Sequence, residues 1–115
     1  MNEERRREPT PTFHEYAEEV HKLAFYPNTD SELGYPTLGL CGEAGEIANK
    51  VKKIYRDGTP VPVDALVDEL GDVLWYVAAL ANALKTPLAE VARRNLEKLH
   101  SRRERGTLRG SGDGR

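Results

Sequence analysis

Two short stretches hold the residue types best suited to chemistry: Gly42-Glu43-Ala44-Gly45-Glu46 and Glu69-Leu70-Gly71-Asp72. Each contains a pair of carboxylates three residues apart. On an α-helix that step is about 300° of rotation, so both members of a pair share a face, one turn apart. Around the first pair, Leu40, Ala44, Ile47, Val51 and Ile54 recur at helical spacing, with Cys41, Ala48 and Tyr55 beside them. Around the second, Leu66, Leu70, Val73, Val77, Leu80 and Leu84 do the same, flanked by Val67, Leu74 and Ala81. At about 100° per residue, Glu43 and Glu46 lie roughly 90° and 150° to one side of the first stripe. Glu69 and Asp72 take the same offset from the second. Two such helices packed together bring four carboxylates to the margin of a core. Like charges about 5 Å apart repel by roughly 3 kcal/mol at an effective dielectric of 20. A hard divalent cation reverses that sign, and an all-carboxylate donor set suits Mg²⁺ or Mn²⁺. The alternative is two solvated acidic edges that never meet.

The elements that must position these groups are helical throughout. Thr12-Phe13-His14-Glu15 has capping-box spacing and opens a first helix, whose apolar face is Phe13, Tyr16, Ala17, Val20, Leu23 and Ala24. Pro27 ends it, in the turn-forming run Tyr26 to Ser31. A second helix runs from about Tyr35-Pro36 to Tyr55. Gly39, Gly42 and Gly45 in its first turns are poor helix formers, which either allow close helix packing or leave room for a ligand. Lys50, Lys52, Lys53 and Arg56 crowd its last turns, where cations suit the macrodipole, and Asp57-Gly58-Thr59-Pro60 is a stop and a loop. The third helix, Val63 to Leu84, is the most apolar part of the chain and must be central. Tyr76 shares its carboxylate flank, as a boundary residue or as a ring beside a substrate. Thr86-Pro87 predicts an N-cap and first helical position for a fourth helix reaching about Arg103. Its stripe is Leu88, Val91, Ala92, Leu96 and Leu99. Asn95, Lys98 and Arg102 lie in or beside that stripe, as polar core residues or as donors to phosphate oxygens. With no strand pattern and no repeat, the fold class is all-α, an antiparallel four-helix arrangement.

Composition narrows the alternatives. The 115 residues fit one domain: a lead-in over 1–11, a helical unit over 12–104 and a Gly/Arg tail over 105–115. Charged residues make up 31% of the chain but the net charge is only −2, so no global field argues for a nucleic-acid or membrane partner. The single Cys41 falls on an apolar stripe and is expected as a buried thiol of a reducing compartment. Neither a signal peptide nor a membrane span is legible, so a cytoplasmic protein is expected. Glu18-x-x-His21 and Glu97-x-x-His100 have the spacing of di-iron bundle ligands, but both glutamates fall opposite their apolar stripes and are expected to face solvent.

Gly39-Leu-Cys-Gly-Glu-Ala-Gly-Glu46, Asp68-Glu-Leu-Gly-Asp-Val-Leu-Trp-Tyr76 and Asn95-Leu-Glu-Lys-Leu99 together resemble the MazG-like all-α nucleoside triphosphate pyrophosphohydrolases. The resemblance spans about residues 12–112. It departs from the family signature Glu-Glu-x-x-Glu at its first position, where Gly42 stands in place of Glu; the other four carboxylates are intact. It implies hydrolysis of a (deoxy)nucleoside triphosphate to monophosphate and pyrophosphate, by water attacking the α-phosphorus. It further implies that Glu43, Glu46, Glu69 and Asp72 hold Mg²⁺, or Mn²⁺, and that one of them, Glu46 by preference, takes the water's proton. By the same resemblance, Lys50, Asn95, Lys98 and Arg102 bind phosphates and Tyr76 lies near the sugar or base, with Phe13, Tyr16 and Trp75 as stacking or core residues. A homodimer or homotetramer is expected. The alternative function is a non-catalytic helical oligomer that binds nucleotide or metal for regulation.

Overall fold

The structure, a computed structural model, describes residues 9–26 and 32–106. It contains four helices: α1 (Phe13–Leu23), α2 (Gly34–Asp57), α3 (Val63–Ala83) and α4 (Leu88–Glu104). No strand occurs among the described residues. The all-α, four-helix expectation holds. The lead-in up to residue 8, the Pro27 stop and the tail beyond Gly106 lie outside the described residues.

Local chemistry accounts for the helix ends. The Glu15 amide donates to Thr12 Oγ1 at 3.1 Å, and the Thr12 amide donates to Glu15 Oε1 at 2.9 Å, closing the capping box of α1. Gly58 ends α2 at φ 63°, a left-handed conformation that suits glycine, and its amide donates to the Ile54 carbonyl at 2.8 Å. The start of α4 differs from expectation by one residue. Pro87 takes the cap position, while the Thr86 hydroxyl turns back to donate to the Leu84 carbonyl at 3.2 Å. With the cap lost to Pro87, the helix begins at Leu88.

The third helix is central, as its apolar character requires: α1, α2 and α4 all pack on α3. The buried core lies at the C-terminal half of α3, where Ala78, Ala79 and Ala81 meet Ala17 and Val20 of α1 and Leu88 of α4. Small residues on α3 let the helices approach closely. The half-buried Asn82 ties the junction further, its side-chain amide donating to the Ala17 carbonyl at 3.0 Å. Among the described helices, α2 packs only on α3. The radius of gyration is 17.2 Å, against about 13 Å for a compact chain of about 100 residues. The α2–α3 hairpin therefore projects from the core.

That projection corrects several burial expectations. Cys41 is exposed, because it sits on the face of α2 turned away from α3. Ala44, Ala48 and Tyr55 are exposed for the same reason. On α3, Leu70 is 57% exposed, and Val63, Val67 and Leu74 are bare beside it. Leu84, Val91 and Leu96 are also exposed, as are Phe13 and Leu23 at the two ends of α1. No helix among the described residues is long and apolar enough to cross a membrane.

Candidate metal and nucleotide site

The burial pattern redraws the contact between α2 and α3. On α2 the covered positions include Pro36, Leu40, Glu43, Ile47, Lys50 and Ile54, and on α3 they include Leu66, Glu69, Val73, Tyr76, Leu80 and Ala83. Both series alternate steps of three and four residues, the a/d spacing of a coiled-coil seam. Glu43, Lys50, Glu69 and Tyr76 therefore occupy seam positions rather than a flank. Apolar side chains above and below hold the two helices together around them.

Ionised groups in a seam cost desolvation energy unless they are partnered. Here Glu43, Glu69 and Asp72 each offer an oxygen such that all three atoms lie within 4.8 Å of one another. Lys50 Nζ lies 3.7 Å from Glu69 Oε1, a partial compensation. Burial first, then the charges of Asp72 and Glu69 and a hydrogen bond with Glu69, push the Glu43 carboxyl above its usual range. The neighbouring carboxylates thus add to the effect of burial. Glu46 stands outside the group, exposed one turn farther along α2, though its charge also acts on Glu43. The Gly42 position faces open space.

Aromatic rings border the carboxylates. Glu43, Asp72, Trp75 and Tyr76 line a cleft of about 340 Å³. Trp75 and Tyr76 meet edge to face at 5.1 Å, and Tyr26 stacks on Tyr35 at 4.7 Å. Burial, and then the charge of Asp72, raise the Tyr16 hydroxyl's pKa, so α1 also reaches this neighbourhood. Burial comes first for Tyr76 too, followed by Tyr35, Glu43 and Asp72. Tyr16 and Trp75 are half-buried against the core, while Phe13 is exposed.

The remaining sequence candidates lie on α4. Lys98 lines a groove on α4 with Arg93, Arg94, Glu97, Ser101 and Arg105, which shares no residue with the carboxylate cleft. Asn95 is exposed, and Arg102 is buried at 3% exposure. A larger hollow, about 610 Å³, lies at the junction of α1 with the α3–α4 turn, lined in part by His14, His21 and Lys85. It contains none of the gathered carboxylates. Glu18 and Glu97 point outward as expected, pairing with His14 and Arg93 at 3.0 and 2.6 Å.

Comparison with known proteins now bears on this geometry. The family model for the MazG nucleotide pyrophosphohydrolase domain matches residues 36–107, which takes in all of the gathered carboxylates. The chain belongs to the MazG nucleotide pyrophosphohydrolase family. It is also 60% identical over 87 residues to the "Gene 37 protein" of Mycobacterium phage L5, covering 72% of this chain and 76% of that relative. No solved structure matches it. Of the four carboxylates singled out in the sequence, the structure brings Glu43, Glu69 and Asp72 together and leaves Glu46 outside the group. Sequence alone missed that Glu43 and Glu69 lie in the seam itself. The signal was present in the three-four spacing from Pro36 to Ile54, interrupted by charge at Glu43 and Lys50. The continuous apolar stripe drawn through Ala44 concealed it.

Proposed function

We propose that this MazG-family chain hydrolyses a (deoxy)nucleoside triphosphate to the monophosphate and pyrophosphate, with Mg²⁺, or Mn²⁺, as cofactor. The observation that carries this reading is the meeting of three carboxylates from two helices, two of them in the α2–α3 seam and Asp72 at its edge. An all-oxygen, multiply charged donor set fits a hard divalent cation. Glu43, Glu69 and Asp72 would hold the ion, with Glu46 completing the set from the next turn of α2. When bound, such an ion neutralises the carboxylates and polarises phosphoryl oxygens.

The chain's own residues supply the rest. Water adds at the α-phosphorus, the bond to the bridging oxygen breaks and pyrophosphate departs with the electron pair. Glu46, exposed like Asp72, also accepts the water's proton. Lys50, beside Glu69, would meet phosphate oxygens. Asn95, Lys98 and Arg102 enter as phosphate donors by family resemblance, and Tyr76 lies beside the sugar or base.

The reading includes a second copy of the chain. Val63, Val67, Leu70 and Leu74 form a further seam on α3, with a four-three-four spacing, and it is exposed along its length. Farther along α3, the core alanines Ala78 and Ala81 are covered by α1 and α4. A symmetric pairing of hairpins would cover the rest, as self-complementary faces do in two-fold dimers.

The test is turnover of a panel of canonical and damaged nucleoside triphosphates with Mg²⁺, the products separated by chromatography, beside Glu43→Ala and Glu69→Ala. Monophosphate plus pyrophosphate, lost in both variants, is expected. Diphosphate plus orthophosphate would move the cleaved bond. Nucleotide or metal binding without turnover would favour a regulatory, non-catalytic oligomer.

A further inference from the structure

Of Gly39, Gly42 and Gly45 on α2 and Gly71 on α3, only Gly39 has a neighbour pressed against the place its side chain would occupy. A Cβ there would lie 2.3 Å from Cε1, 2.4 Å from Cζ and 2.7 Å from Cδ1 of Tyr76. Real carbon contacts do not fall below about 3.4 Å without strain. At Gly42, Gly45 and Gly71 the same atom would meet nothing within 4 Å. The early glycines of α2 are therefore not equivalent, and one of them carries a ring.

We propose that Gly39 is a positioning residue for Tyr76: its missing side chain forms the notch on α2 that fixes the Tyr76 ring at the wall of the carboxylate cleft. The notch has defined neighbours. Tyr35 and Glu43 lie one turn to either side of Gly39 on the same face of α2. Tyr35 is held by its stack on Tyr26, which closes one way out for the ring. Trp75, edge-on at 5.1 Å, closes another. The open direction is the cleft that Tyr76 lines with Glu43 and Asp72. A methyl group at position 39 moves the ring by about 1 Å or more, and the space it enters is the space a nucleotide would use. This consequence for substrate rests on the hydrolase reading above. The packing relation does not.

The experiment is a double-variant cycle of Gly39→Ala and Tyr76→Ala, read three ways. The first readout is Tm. Alanine is a better helix former than glycine, so Gly39→Ala should raise Tm wherever the ring is absent and lower it wherever the ring is present. The sign of the effect should reverse between the Tyr76 and Tyr76→Ala backgrounds. The second is emission from Trp75, the chain's single tryptophan. Gly39→Ala should shift it in the Tyr76 background and leave it unchanged in the Tyr76→Ala background. The third is kinetic: Gly39→Ala should raise KM for the nucleotide severalfold with little change in kcat. A Gly39→Ala protein that fails to fold, restored by adding Tyr76→Ala, supports the assignment equally. A rise in Tm in both backgrounds with unchanged Trp75 emission would overturn it, as would misfolding that Tyr76→Ala does not relieve. Sign reversal in a protein that turns over no nucleotide would uphold the positioning of Tyr76 while removing the hydrolase reading. Sign reversal in an active enzyme whose KM is unmoved would overturn the role in substrate binding.

Discussion

Replacing Glu43 by glutamine should stabilise the metal-free protein and destabilise it relative to wild type when Mg²⁺ is saturating. Glutamine keeps the shape of the side chain and removes one charge from a group whose oxygens lie within 4.8 Å of one another. Two unit charges at that distance repel by about 3 kcal/mol at an effective dielectric of 20. The group is half open to solvent, which reduces the relief to about 1 kcal/mol, or a rise in Tm of about 4–8 °C in EDTA. The pH dependence has a definite sign. Because the folded pKa of Glu43 is raised, its contribution to stability is fully present below the unfolded value and is lost as pH rises through the folded one. The advantage of the variant should therefore open as pH rises through that folded value. With Mg²⁺ at a hundredfold excess over its Kd, wild type gains about 2.7 kcal/mol, upwards of about 10 °C, by mass action. The variant, short of a ligand, should gain little. The two melting curves, followed by circular dichroism, thus exchange order between EDTA and Mg²⁺. If Glu43→Gln melts below wild type in EDTA, the carboxylates are not crowded as described. An undiminished Mg²⁺ shift in the variant would place the ion elsewhere.

Other consequences are open to direct measurement. Leu70→Glu, at the middle of the bare α3 seam, should convert a dimer to monomer in sedimentation velocity while leaving helical content unchanged; an unaltered dimer would move the interface to another face. Glu90 is bridged by Arg93 and then Arg94, which hold its pKa down at about 2 against an ordinary 4.5. Its stabilising contribution is present above the ordinary value and lost as pH falls toward 2, so Glu90→Gln should flatten the acid limb of a stability–pH profile in that window. Thr12→Ala opens both hydrogen bonds of the capping box and should cost about 1 kcal/mol, a fall in Tm of a few degrees, read by thermal melt.

What could be read from sequence followed local rules. The capping box at Thr12 and Glu15, the left-handed stop at Gly58 and the central place of α3 depend on neighbours within a few residues or on gross apolarity. The carboxylate pairs were legible because helical rotation fixes which residues share a face. The error in burial at Cys41, Ala44 and Leu70 has a single cause. An apolar stripe reports that a face wants cover, and cannot report whether another helix of the same chain supplies it. Hence α3 was rightly judged central, while Val63, Val67, Leu70 and Leu74 along it stayed bare. The Gly39 contact was beyond reach because it depends on the register of α2 against α3, set by the whole seam and not by either helix alone. Lys98 and Arg102 were grouped with the carboxylates through resemblance, and helical wheels carry no information on the distance between α4 and α2.

The single-neighbour packing of α2 has a dynamic side. A helix docked on one partner can detach without disturbing the remaining three, so its backbone amides should exchange with solvent through a partial opening well below the global unfolding free energy. That opening carries Glu43 and Glu46 away and leaves Glu69 and Asp72 behind on α3. The site is thus divided between a cooperative unit that stays folded and one that comes and goes. Any ligand bridging the two halves must slow exchange along α2 far more than along α1 or α4. Occupancy of the cleft is then written into the protection pattern of a helix twenty-four residues long.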